Sequence, residues 1–541
     1  SKVENVLSPG MRLSGQGIYS LRDWRDYEFS WRFNLAGLPS RTRHAYRLAA
    51  TLSHTLSNDS YYTLSLSGYY LRSKIGEGSK SDLDLQPYEY DFFLRYIVDG
   101  KRNWWAESHQ VVYTAKGDFT RQFAKMHLVK AGAEINLYKI TSDLVKYEPQ
   151  VTYFGKPVLD APLLNYSNRY TYRPRSGSIF IQDKVELVRD GSNFSLGLRW
   201  DFLDPTAERP IVEYIPVTGN EYQQVVTGTA RARMKHQLSP RLSFAAPVGP
   251  LSFFFINFGH YFQFPLFDYL YSGLSPSQLR GGARNVLAGN PDLDPERTIA
   301  WETGFKHGVS ANVVVSLTYF RKKFLNQIDT KTLVPFDSKS AGDYGFSNYV
   351  NNAEASASGI EVVLSREADE RLSGSLSYGY MVTDGLSEAV DQGVNFAQWG
   401  FPVVATAFPL SWDQRHTIKA DADFRLPGDV RANLLVLYNS PRPYTYYPTR
   451  DGFTPIDTGR AFIPNNRRME NVLIVNLKLS RQFTVEELGR TRAVVFADIR
   501  NLLNEKNVRW IDSNGRIGGE LRDPGAYYEP RRIRVGVRFE F

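Results

Sequence analysis

The sequence predicts an all-β fold: a transmembrane, antiparallel, up-and-down β-barrel occupying residues 1–541. Three observations predict it. Segments alternating apolar and polar residues recur along the whole chain. The connections between them alternate in length, short then long. Aromatic residues reach 14%, yet 23% of residues are charged and the mean hydropathy is −0.37, with no apolar run long enough for a spanning helix.

The strands can be justified in chain order. "YYTLSLSGYY" (Tyr61–Tyr70), "VVVSLTYF" (Val313–Phe320), "RLSGSLSYGY" (Arg371–Tyr380) and "VLIVNLKLS" (Val472–Ser480) each alternate and, with their flanks, reach the length of a tilted membrane strand. The longest nearly uncharged stretch, Phe244 to Phe267, contains "PVGP", so it reads as two strands about a tight turn. At the C-terminus, "RRIRVGVRFEF" puts Ile533, Val535, Val537, Phe539 and Phe541 on one face and Arg532, Arg534, Arg538 and Glu540 on the other. A basic side chain facing lipid at the midplane costs about 2–4 kcal/mol. A one-residue slip would turn three arginines outward, so the arginine face must meet water.

Short connections fall near Ser57–Ser60, Asp190–Ser192, Pro247–Pro250, His307–Ala311, Glu367–Glu370 and Pro427–Asp429. Long polar loops fill roughly Gly76–Arg102, Thr141–Ser176, Phe264–Pro295, Gly385–Ser411 and Pro441–Arg468. Sorting loops by side in this way marks an outer-membrane barrel, with short periplasmic turns and long extracellular loops. The segment count gives about eighteen strands, an even number that would start Ser1 on the short-turn side. Aromatics at strand ends, such as Tyr61, Tyr62, Tyr69, Tyr70, Trp104 and Trp105, suit the lipid–water interface.

Composition excludes several functions. Cysteine is absent, which removes disulfides, thiolate metal sites and cysteine nucleophiles. The net charge of +8 is spread over 65 basic and 57 acidic residues without a dense basic run, so no nucleic-acid partner is expected. The eight histidines, at 44, 54, 109, 127, 236, 260, 307 and 416, show no paired metal spacing, and no nucleophile elbow or phosphate loop appears. No enzyme activity, metal or cofactor is expected. Ser1 is not an initiator methionine and no leader follows it, so the chain reads as mature or truncated.

The most distinctive stretch is "NPDLDPERTIAWETGFKHGVSANVVVSLTYFRKK" (Asn290–Lys323), a proline-broken acidic lead-in followed by a hairpin. It resembles the Asn-Pro-x-Leu-x-Pro-Glu lead-in and following hairpin of TonB-dependent outer-membrane receptors. Leu238–Pro265, Tyr349–Glu367, Trp412–Leu426, Val495–Val508 and the terminal Phe541 resemble further family motifs in the family's order, covering roughly Lys116 to Phe541. Lys116–Ile140 also resembles the branch that carries an N-terminal carboxypeptidase-regulatory-like domain.

The resemblance implies a barrel of about 22 strands, occluded by an N-terminal plug, which imports a scarce ligand when the TonB machinery pulls an N-terminal box. Plug, TonB box and first strands are not recognisable here, and the expectation is that they precede Ser1. Expected partners are outer-membrane lipid, the TonB machinery through that segment, the barrel-assembly machinery and a surface lipoprotein. The alternative is a passive channel or a structural barrel of a larger envelope assembly.

Candidate site residues follow. Asp292, Asp294 and Glu296 could offer oxygens to Ca²⁺, but no glycine-turned twelve-residue loop surrounds them, and they read as solvated loop carboxylates. In "WDQRH", Asp413 and Arg415 share a face and read as a charge pair of the wall rather than acid–base machinery. Trp399 in "QWGFP" and Arg442, Tyr444, Tyr446 and Tyr447 in "PRPYTYY" are the ligand-binding candidates, because stacked rings with an arginine can hold a sugar, a chelate or a peptide. By resemblance to outer-membrane barrels, Phe539 and Phe541 form the barrel-assembly signal.

Overall fold

The computed structural model describes residues 2–83, 88–91, 93–148, 164–165, 167–187, 191–216, 222–274, 287–332, 347–367, 371–398, 401, 406–450, 454–457, 459, 461–485 and 491–540. Trp399 and Phe541 lie outside them, as do 190 and 368–370 of two expected turns. Among the described residues nineteen strands build the wall: β1 Lys2–Ser8, β2 Met11–Arg25, β3 Ser40–Ser57, β4 Ser60–Ile75, β5 Trp104–Phe123, β6 His127–Glu148 and β7 Arg175–Leu187. β8 Ser192–Asp204, β9 Lys235–Gly249, β10 Ser252–Gln263, β11 Glu296–Ser310, β12 Val313–Thr332 and β13 Ser347–Arg366 follow. β14 Leu372–Gly385, β15 His416–Leu426, β16 Val430–Asn439, β17 Val472–Val485, β18 Thr491–Arg500 and β19 Arg532–Glu540 complete it.

Each wall strand pairs antiparallel with the next, so the family of strands forms one continuous up-and-down ladder. Nineteen described strands agree with the expected count of about eighteen. The additional strand is β1, which descends into the tight Ser8–Met11 turn, where Gly10 holds φ +83° and accepts a hydrogen bond from Thr55 N. The chain therefore does not start upward from the short-turn side. No helix among the described residues is long and apolar enough to cross a membrane.

The expected register is the one observed. Ile533, Val535, Val537 and Phe539 stand 48–73% exposed on the outer face. Cross-strand partners carry that face around the wall: Val535 faces Ala497, then Leu479, Ala432, Phe424 and Leu372. The neighbouring row runs Arg534, Asp498, Lys478, Asn433, Asp423 and Ser373. Six strands thus present an apolar row outward and a polar row inward, as the lipid cost of charge demands. By the same parity all eight histidines sit outward near one rim or the other, and none lines the lumen.

On the lumen side, phenylalanines lie directly opposite glycines: Phe180 and Gly132, Phe255 and Gly304, Phe320 and Gly359, Phe496 and Gly536. The ring fills the space the glycine leaves, so apolar area is buried against backbone. At Gly359 an added Cβ would come within 2.3 Å of Tyr380 O and 2.8 Å of Phe320 Cζ.

Above the membrane the acidic lead-in is a knot rather than a solvated spacer. Asn290 Nδ2 donates to Tyr349 O and its Oδ1 accepts from Asp292 N. Asn351 Oδ1 accepts from Asp294 N, while its Nδ2 donates to Asp294 O and to Asn326 O, where Asn326 sits at φ +56° in a bulge of β12. Glu296 Oε1 accepts from Ile328 N. Asp292 takes Arg209 Nε at 2.8 Å, Arg233 N at 2.8 Å and the buried Lys235 Nζ at 3.2 Å. Between them Leu293, 1% exposed, enters a core of Ile140, Tyr170, Leu203, Leu270, Tyr271 and Ile328. The Asp292 and Glu296 carboxylates are thereby engaged with protein donors, and no metal-holding group of acidic or histidine side chains occurs among the described residues.

Burial pushes the Asp292 carboxyl up, but the Arg233 N–H, the Lys235 ammonium and the Arg209 guanidinium hold it below the usual range. A depressed native value stabilises the fold above the unfolded pKa of about 3.9 and loses that contribution as pH falls through the lower native value.

Two outcomes are expected. Gly359→Val should cost about 3 kcal/mol, the upper end for overpacking, and deplete the heat-modifiable folded band on a gel; unchanged band intensity would contradict the close contact. The thermal midpoint of the native protein should drop as pH falls below about 4, whereas Asp292→Asn should lower the midpoint at neutral pH and blunt that acid drop.

Candidate functional site

The sequence rule that places polar residues inward also builds a concavity on the lumen side. A cavity of about 1150 Å³ opens between β16, β17 and β18 beneath the loop that joins β18 to β19. Lys478 and Asp498, cross-strand partners, form its wall with Asn433 and Asn476. Arg442, just past β16, and Arg500, at the end of β18, stand at its upper edge, with Arg509, Trp510, Tyr527, Tyr528 and Glu529 contributed by the loop.

Four basic side chains, Arg442, Lys478, Arg500 and Arg509, face two carboxylates, Asp498 and Glu529. Arg500 approaches Asp498 at 3.9 Å and Glu529 at 3.8 Å, near the limit of ion pairing, so its N–H groups are not consumed by close partners. Arg442 Nη2 donates to Arg509 O at 2.9 Å, and the Arg509 guanidinium lies 5.7 Å over the Tyr528 ring. The arrangement offers charged donors beside aromatic faces, which suits an anion carrying planar or apolar parts.

Three asparagines hold the covering loop. Asn501 Nδ2 donates to Glu505 O and Glu529 O, and its backbone N–H donates to Asn476 Oδ1. Asn504 Oδ1 accepts from Arg531 N, and Asn507 exchanges two hydrogen bonds with the Leu473 backbone. "NLLNEKN" thus ties the loop to the starts of β17 and β19. Its even spacing of asparagines was a visible signal, though it reads in isolation only as turn chemistry.

The sequence candidates divide. Arg442 reaches the cavity. Tyr444 pairs with Arg467 in a short ladder, and the Arg467 guanidinium lies 3.5 Å from the Tyr446 ring centre. Tyr447, 8% exposed, packs in an aromatic core with Phe396, Phe401 and Phe462, and its N–H donates to Ser513 O. The tyrosines thus dock the "PRPYTYY" loop on its neighbours, while Arg442 is the one of the four that lines this cavity. Asp413 is fully buried, accepting from Arg415 Nε at 2.8 Å, from Thr383 N at 2.8 Å and from Arg468 Nη2. The Asp413–Arg415 pair is present, and Arg468 makes it a three-residue tie between loops. Lys478, Arg500, Arg509 and Trp510 were not singled out from sequence, because strand pairing and loop return bring them together.

Comparisons with known proteins agree with this architecture. The chain matches the family described as TonB dependent receptor-like, beta-barrel, over residues 5–502. Its fold is similar to that of the outer membrane transporter YddB from Escherichia coli, with TM-score 0.69 and 14% identity over 99% of this chain and 67% of that one. It is also similar to the ferric-catecholate import receptor Fiu from K12 E. coli, with TM-score 0.58 and 12% identity over 99% and 73%. The FrpB iron transporter from Neisseria meningitidis gives TM-score 0.58 and 11% identity over 99% and 70%. No curated protein matches the sequence. On the family match and the continuous up-and-down wall, this chain is a member of the TonB-dependent receptor β-barrel family of the outer membrane.

Proposed function

We propose that this barrel is the wall of an energy-coupled importer that captures an anionic ligand from outside, in the cavity under the β18–β19 loop, and passes it inward when the TonB machinery acts on the protein. The observation that carries this reading is the excess of basic over acidic side chains around that cavity, combined with Trp510, Tyr527 and Tyr528. Iron chelates are the first ligands to test, since similar folds include a ferric-catecholate import receptor and an iron transporter. Arg442 is the sequence candidate retained as a direct ligand contact; Tyr444, Tyr446 and Tyr447 shape the loop that presents it, and Trp399 is carried forward as a loop candidate. Phe539 and Phe541 retain their reading as the signal for the barrel-assembly machinery, and a surface lipoprotein stays a candidate partner.

The test uses whole cells and an anionic ferric-catecholate chelate as probe. The double substitution Arg442→Ala with Arg500→Ala should weaken binding by at least about tenfold, since each charged hydrogen bond contributes about 1.5–3 kcal/mol. Uptake should also require the proton gradient that drives TonB. Uptake that persists without the gradient, or steady ion conductance through the purified full-length protein, would favour the passive channel instead. Unchanged binding in the double variant would move the ligand elsewhere in the lumen.

A further inference from the structure

Immediately above the polar tier of Asn433, Lys478 and Asp498, the lumen face of the wall turns apolar. β16 carries five consecutive apolar residues, Leu434 to Tyr438, and β17 carries four, Val472 to Val475, so the two-residue period of these strands is lost there. A strand that is apolar on both faces needs apolar surroundings on both. Lipid supplies one side: on the outer rows Leu434 faces Leu477, Val436 faces Val475 and Tyr438 faces Leu473. On the lumen rows Leu437 faces Ile474, with Leu435 beside them opposite Asn476, where a polar interior is the rule.

Leu435, Leu437 and Ile474 all line the cavity under the β18–β19 loop, and each keeps part of its surface exposed. They form an aliphatic floor with definite limits. Below it lie Asn433, Lys478 and Asp498. On the β15 side, Lys419 stands opposite Leu437 and Asp421 opposite Leu435. Asn433 Nδ2 donates to Asp421 at 2.8 Å and to Asp423 at 3.1 Å, so those carboxylates are already engaged. Above the floor stand Arg442 and Arg500, with Arg509 and Trp510 in the covering loop. From Leu437 to Leu435 the floor extends about 7 Å along the strand.

We propose that the ligand of this cavity is an amphiphilic anion, with a charged head held at Arg442, Arg500 and Arg509 among the aromatic rings and a short aliphatic arm laid on Leu435, Leu437 and Ile474. The inference rests on the reading of this cavity as the capture site and adds the second half of the ligand. Two features select a ligand's arm over a covering protein segment as the occupant. The aliphatic patch is bounded by polar groups below and beside it, and it runs directly into the cationic rim, so a molecule with both a head and an arm satisfies both surfaces at once. A chelate without an arm fills the rim and leaves the floor wet.

The test measures binding of ferric catecholate chelates of equal charge to the purified full-length protein in detergent, by isothermal titration calorimetry. The probes are the parent chelate and its acetyl, butyryl, hexanoyl and dodecanoyl derivatives. Leu437→Thr and, separately, Ile474→Thr alter the floor, Val112→Thr alters an inward aliphatic residue of β5 outside the cavity, and Arg442→Ala with Arg500→Ala removes the rim. Heat-modifiable gel mobility verifies that each variant folds. Affinity is expected to climb by up to about fourfold per methylene until the arm outgrows the floor, so that the dodecanoyl chelate binds no tighter than the hexanoyl one. Either floor variant should weaken the hexanoyl chelate about tenfold more than the parent, Val112→Thr should leave that difference intact, and the rim variant should weaken every probe. Equal affinity for parent and acylated chelates, with the rim variant still weakening both, would overturn the inference and leave the importer reading standing. A chain-length dependence unchanged in both floor variants would assign the gain to the detergent and overturn it too. Binding of no probe, or binding indifferent to the rim variant, would remove the capture site and the inference with it.

Discussion

In a bilayer no water is present to satisfy a peptide group, and that one constraint organises this protein. Every N–H and C=O of the spanning region must be paired within the chain, which leaves a sheet wound continuously from strand to strand as the available solution where the described residues hold no spanning helix. The ladder from β1 to β19 is the direct expression of that requirement. Everything functional is hung from it: the lumen rows, the cavity at β16–β18 and its aliphatic floor are all consequences of which side of a paired backbone a residue falls on.

Much of the fold was legible because lipid penalises error so heavily. Three arginines alternating with Ile533, Val535 and Val537 admit one register only, and the neighbouring strands had to match it. β1 was not legible, since "KVENVLS" mixes charge and apolar groups without a clean period and is recognised as a strand only through its pairing with β2. The external hairpin Glu208–Pro216 with Tyr222–Arg231 escaped for a related reason. Outside the bilayer no face is held to lipid, so a strand there carries no obligatory pattern.

The site was less legible than the wall. Arg442 could be picked out because it stands among prolines and tyrosines in a loop. Lys478 and Asp498 looked like ordinary lumen polar residues, and their relation to Arg442 arises from the order in which three strands pair. Asp292 illustrates the opposite error of scale. Locally it is one of three acidic residues in a polar loop, yet it accepts from a backbone N–H and from side chains on the external hairpin and at the start of β9, contacts between residues some sixty to eighty positions apart. Local composition cannot show how far a carboxylate's partners lie along the chain.

The length of the wall strands has one more consequence. β5, β6, β12 and β13 run 20 to 22 residues, about twice what a tilted strand needs to cross the hydrocarbon. Each is therefore two materials on one backbone: a lower half policed by oil, where an outward charge is ruinous, and an upper half beyond the hydrocarbon, where that penalty lifts except at positions such as Ile140 and Ile328 that pack into the core under the loops. Sequence drift along such a strand should be steeply graded, frozen below and permissive above. A receptor built this way can renew the surface it shows to the outside world without disturbing the part that keeps it in the membrane.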